Sequence, residues 1–171
     1  MAILTIRYAP DPILRTPTRL IHTVTPDIRK LAHDMIDTMH AAGGVGLSAN
    51  QVGHPWRLFV ANPDHRHDRE LVLINPRIVG QHGRVRFEEG CLSLPGVAAV
   101  VPRFKKVRVE GMSLDETVSI LDGDELLARI FQHEIDHLNG LLFANRLPLF
   151  SRYRLLRQYR QQQQELRQVP L

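Results

Sequence analysis

The sequence predicts an α+β domain in which mostly antiparallel sheets pack around a central helix and a further helix closes the C-terminus. Three features predict it: successive β-branched stretches through the middle of the chain, one strongly periodic helix directly after them, and an arginine- and glutamine-rich helical tail. Strands in a run followed by a helix favour segregated layers over the strict alternation that builds a parallel sheet. The 171 residues fit one domain, 1–171, with 148–171 as its tail, and that length supports an ordinary hydrophobic core without covalent staples.

The opening segment "ILTIRYAPDPILRTPTRLIHTV" carries Pro10, Pro12 and Pro17. Proline removes a backbone donor and breaks helix, so this segment is expected to run extended over the surface. Thr25-Pro26-Asp27 is a helix start, with a capping hydroxyl and proline at the first helical position. Ile28, Leu31, Ala32, Met35 and Met39 then recur at helical spacing as a buried stripe, and the helix runs out near glycines 43, 44 and 46.

Five strand-like stretches follow: "WRLFVAN", "ELVLINPRIVG", "GRVRFEEGCLSL", "VAAVVPRFKKVRVEGM" and "TVSILDG". Proline, glycine and asparagine separate them. Between the first two, "NPDHRHDRE" has turn chemistry, and its His65 and His67 are expected in solvent. Asp122 or Asp124 can cap the next helix, Leu126, Leu127, Ile130 and Phe131 give it its period, and Asn139-Gly140 offers a left-handed stop. In the tail, Leu155, Tyr159 and Leu166 share one side of a helix and Arg154, Arg157 and Arg160 lie away from it, while the glutamine run is expected to fray.

Composition narrows the classes. The chain is 43% hydrophobic and 23% charged, with no apolar run long enough to span a bilayer. Its first residues lack the basic and apolar regions of a secretory signal, so a cytoplasmic protein without membrane contact is expected. A single cysteine, Cys91, permits no intrachain disulfide, and a net charge of +4 with a pI of about 9.7 suggests contact with something anionic more than a dedicated DNA or RNA binder.

The stretch "FQHEIDHLNG" carries the chemistry. Residues four apart on a helix stand on one face, so His133 and His137 can reach one ion, while Glu134 projects about 100° round the helix. This is H-E-x-x-H, in which the glutamate serves as general base for a metal-bound water. A lone histidine on an apolar face is ordinarily a hydrogen-bonded core residue, but two of them beside a carboxylate are hard to satisfy without a cation. Hydrolytic metal sites commonly take three protein ligands and leave one position open. After His137 the chain holds no histidine or aspartate, and its one glutamate, Glu165, lies in the tail. Cys91, in "EEGCLSLP", is the remaining candidate.

Three stretches together, "GVGLSANQ" (44–51), "EGCLS" (89–93) and "HEIDH" (133–137), resemble the peptide deformylase family in order and spacing. The resemblance extends from "ILTIRYAPDPILR" to the end of the histidine helix and is weakest in the tail. It implies a metal-dependent hydrolase that removes the formyl group from N-terminal formylmethionine of newly made polypeptides. It further implies one divalent ion held by Cys91, His133 and His137, Fe²⁺ natively, with Zn²⁺, Ni²⁺ or Co²⁺ able to substitute. Glu134 would carry the proton, and the Gln51 amide and the Leu92 backbone N–H would bind the oxyanion.

The same likeness makes Gly44, Gly46 and Gly90 the places where an extended peptide pairs closely with the backbone, and puts Val45, Leu126 and Ile130 in the methionine pocket with Glu89 and His133 at its wall. Nascent formyl-Met peptides are the expected partners, and the arginine-rich tail is a candidate for ribosome contact. Three positions depart from the family's usual pattern. Ser48 replaces alanine, with little effect expected. Ala98 replaces an arginine that helps hold the peptide, and Arg129 replaces an aliphatic residue of the methionine pocket. A general zinc peptidase lacking the cysteine ligand and a basic RNA-associated module are the competing readings.

Overall fold

Capping chemistry sets the first helix where the sequence puts it. Thr25 accepts a hydrogen bond from Ile28 N, Pro26 takes the first position, and α1 runs Pro26–Ala41 with Ile28, Leu31, Ala32, Met35 and Met39 all buried. The structure, a computed structural model, describes residues 2–64, 66 and 69–168, so His65 and His67 lie outside the described residues.

Beyond α1 the chain enters one five-stranded sheet in the order β1 (Gly46–Ser48), β2 (Leu58–Ala61), β3 (Leu71–Glu89), β4 (Ala99–Met112) and β5 (Val118–Asp124), every neighbouring pair antiparallel. The glycine-rich stretch after α1 therefore becomes a strand as well as a helix end. The two stretches "ELVLINPRIVG" and "GRVRFEEG" are a single 19-residue strand. Their apparent breakers are absorbed as register shifts between Ile74 and Arg77 and between Ile78 and Gly80, and as the left-handed Gly83 (φ 65°). Pro76 falls at the first shift, where its missing N–H costs the ladder nothing.

The second helix, α2 (Glu125–Leu138), follows β5 directly, and Asp124 caps it by accepting from Glu125 N at 2.8 Å. It lies across the sheet, packing Ala128, Ile130, Phe131, Ile135 and Leu138 against Phe59, Leu73, Val107 and Val109.

The N-terminal segment does more than cover the surface. Pro12–Arg15 form a 3-10 turn that buries Leu14, and both the N–H and the hydroxyl of Thr18 donate to Leu138 O at the end of α2. Gly140, left-handed at φ 74°, lets the chain turn there; a Cβ would sit 2.6 Å from Arg15 O.

The third helix, α3 (Leu149–Gln168), buries Leu155 and Tyr159 and leaves Arg154, Arg157 and Arg160 exposed. Tyr159 Oη donates to Ala9 O at 3.0 Å. The helix continues through the glutamine run, and the Leu166 side chain lies outside the described residues. Among the described residues no helix is long and apolar enough to cross a membrane.

Candidate metal centre

The turn 91–94 that follows β3 meets the C-terminal half of α2. Leu94 N closes that turn on Cys91 O, and Ser93 N donates to Cys91 Sγ at 3.3 Å. Cys91 Sγ lies 3.2 Å from His137 Nε2, which lies 3.2 Å from His133 Nε2. The three ligand atoms all fall within 4.8 Å of one another.

The donor set fits one tetrahedral cation. Ligand bonds of about 2.0–2.3 Å set donor separations of about 3.3–3.6 Å, close to those present. Protonation agrees. His133 Nδ1 sits 3.1 Å from the Glu89 carboxylate, an acceptor, so Nδ1 carries a proton and Nε2 is the nitrogen left facing the site.

The two histidines titrate in opposite directions. Burial, with the charges of His133 and Arg103 added, holds His137 well below the usual imidazole range, so it is neutral and able to ligate. Burial pushes His133 down as well, but hydrogen bonds to Cys91 and Glu89 outweigh it and leave His133 raised.

Glu134 stands beside these ligands on the β1 side of α2. It is buried, and burial raises its carboxyl above the ordinary value against the opposing pull of His133 and of a Ser48 hydrogen bond. β1 makes room for it through Gly46: a Cβ there would lie 2.5 Å from Glu134 Oε1 and 3.0 Å from Ile130 Cγ2. Gly46→Ala, with no left-handed strain to complicate it, is therefore expected to keep the fold and lower turnover about 10²-fold by displacing the carboxylate, checked by steady-state kinetics beside a thermal melt.

Gln51 sits in the short 3-10 turn Ala49–Val52 that follows β1. Ser48 N donates to its Oε1 at 2.9 Å, so its amide nitrogen faces Ser93 Oγ at 3.2 Å and Cys91 Sγ at 3.6 Å.

An ion-pair chain lies beneath the site. Arg103, 5% exposed, grips Glu89 with two bonds of 2.8 and 2.9 Å and reaches Asp136 Oδ2 at 2.6 Å. Arg146 also holds Asp136 from the solvent side. Burial pushes the Glu89 carboxyl up, but the bonds from Arg103 and His133 hold it at about 2. Asp136, beside His137 in the sequence, thus belongs to the arginine network. Arg103 and Arg146 were missed in the sequence. Arg103 does carry a signal, because it alternates inward with Val101 around exposed Pro102, and a cation there demands buried carboxylates.

A cavity of about 390 Å³ opens over the metal-ligand cluster. Gly44, Val45, Gly46 and Gln51 line it together with Glu89, Gly90, Cys91 and Leu92. Leu126, Ile130, His133 and Glu134 of α2 form its floor, while His137 lies below, fully buried. Arg129 also borders it, its guanidinium 4.9 Å over the Phe87 ring, a cation where the methionine pocket was expected to be aliphatic. Ala98 is exposed and does not border the cavity.

Known proteins similar to this chain share one family. The profile of the polypeptide deformylase family matches residues 3–152. A peptide deformylase of Acidobacterium capsulatum is 42% identical over 160 residues, covering 92% of this chain and 94% of the relative. One from Buchnera aphidicola is 38% identical over 157 residues, covering 92% and 94%. Among solved structures, a peptide deformylase from Legionella pneumophila superposes with a TM-score of 0.93 at 38% identity, covering 99% of this chain and all of that one. The Ehrlichia chaffeensis enzyme in complex with actinonin superposes at 0.87 with 37% identity, covering 95% and 98%.

Proposed function

The chain belongs to the polypeptide deformylase family, and on that premise we propose how its residues divide the work. The enzyme removes the N-formyl group from formylmethionine at the start of newly synthesised polypeptides and releases formate. In this reading Cys91, His133 and His137 hold the divalent ion. The observation that carries it is the convergence of their three ligand atoms beside a buried glutamate. When bound, such an ion acidifies water toward a pKa of about 7 and so supplies hydroxide at neutral pH.

The chain's own groups do the rest. Glu134 takes the attacking water's proton and returns it to the departing amine, a role suited to a carboxyl raised by burial. The Gln51 amide and the Leu92 N–H donate to the developing oxyanion; the Gln51 amide is already turned toward Cys91 by Ser48 N. The peptide lies extended between the Gly44–Gly46 edge and Gly90, where missing side chains let backbones approach. Its first side chain enters between Val45, Leu126 and Ile130, beside Glu89.

Fe²⁺ is the proposed native ion on the family resemblance alone, since a thiolate with two imidazoles also accepts Zn²⁺, Ni²⁺ or Co²⁺ and does not choose among them. The proposed compartment is the cytoplasm. The exposed Arg154, Arg157 and Arg160 of α3 support contact with ribosomal RNA. Deleting the residues after Pro148 is expected to weaken a salt-dependent ribosome association and to spare turnover on short formyl-peptides.

Metal analysis tests the ligand assignment. Cys91→Ser, purified anaerobically, is expected to lose the bound ion and formate release from formyl-Met-Ala-Ser together. Retention of the ion at the wild-type level would return the site to the general zinc-peptidase reading.

A further inference from the structure

Ser48 stands where the family resemblance expects alanine, and the division of work above gives its hydroxyl no part. The structure buries it completely at the end of β1, with Oγ 2.5 Å from Glu134 Oε2. Its backbone N–H meanwhile holds Gln51 Oε1 at 2.9 Å. We propose that Ser48 is a positioning residue for the hydrolytic step, its hydroxyl fixing the Glu134 carboxylate in the orientation that carries the proton. The proposal rests on the reading of Glu134 as the proton carrier.

The physical case is one of restraint. A glutamate side chain has three rotatable bonds, and a rate-determining proton transfer tolerates little misplacement. The Gly46 backbone passes close beside the carboxylate on the Oε1 side, but van der Waals contact limits position without choosing a rotation. One directed bond from Ser48 to Oε2 chooses it. A carboxylate has about four acceptor sites, and this bond uses one, so Glu134 keeps capacity for a water facing the cleft. Ser48 also joins the two halves of the chemistry on one residue: its N–H sets the amide that meets the oxyanion, and its Oγ sets the carboxylate that moves the proton.

The test is a kinetic cycle with Ser48→Ala and Glu134→Ala, on enzyme reconstituted with a single metal, combined with metal analysis, thermal unfolding and a crystal structure of Ser48→Ala. Ser48→Ala is expected to lower kcat for formyl-Met-Ala-Ser about tenfold with KM, metal content and thermal midpoint unchanged, and to show Glu134 in more than one rotamer. In the Glu134→Ala background the same substitution is expected to change nothing further. An unchanged kcat, an equal loss in both backgrounds, or a fall in metal content or thermal midpoint would overturn the positioning role. Wild-type turnover in Glu134→Ala would instead remove the reading of Glu134 itself, and this proposal with it.

Discussion

Glu134→Ala is expected to lower kcat for formate release by about 10²- to 10⁴-fold, with metal content at the wild-type level. The two readouts separate because Glu134 adjoins the ligand cluster without being part of it: the converging atoms come from Cys91, His133 and His137. A carboxylate that served as a ligand would lose ion and activity together when truncated, as is expected of Cys91→Ser. KM should hardly move, since the peptide's first side chain and backbone meet other walls of the cavity. Kinetics on short formyl-peptides with parallel metal analysis decide it, and a variant with wild-type kcat would remove Glu134 from the mechanism.

The second large effect is on stability. Arg103→Leu is expected to cost about 3–5 kcal/mol, read as a lower urea midpoint with an unchanged slope. Glu89 and Asp136 have side chains only 3% and 4% exposed, and Arg103 is their shared cation. Without it Glu89 keeps His133 Nδ1, and Asp136 keeps Arg146. Arg146→Ala should cost far less, because its side chain is 46% exposed and solvent screens its charge.

Acid sharpens the comparison. Glu89 is held at about 2 against an ordinary 4.5, so the folded protein gains stability from its charged form above about pH 4.5 and loses it as pH falls from 4.5 toward 2. In Arg103→Leu the uncompensated carboxyl is instead relieved by protonation. The stability gap between the two proteins should therefore narrow as pH falls through 4.5, which urea titrations at several pH values would show.

How far the sequence could be read depended on whether a feature was local. The histidine pair and its glutamate were legible because four-residue spacing on a capped helix leaves one geometric outcome, and Cys91 because no other third donor followed His137. Long β3 was read as two strands, since Asn75-Pro76, Gly80 and Gly83 look like stops; the pairing with β4 absorbs the first two as register shifts and carries on past Gly83, and only the partner strand reveals that. β1, at three residues, is too short to show a period. Ser48 was expected to matter little because it is small, and its partner Glu134 lies 86 residues away, where no local pattern reaches. Arg103 escaped for the same reason, its partners being 14 and 33 residues distant.

The chain's lone sulfhydryl is Cys91, half-buried at the metal cluster. Alkylation therefore has one address, and labelling with an iodoacetamide dye becomes a gauge of occupancy: a coordinated sulfur resists the reagent, and a stripped one takes up a single equivalent. Thiol oxidation has the same address, so sulfenic acid formed by peroxide can be counted at one atom.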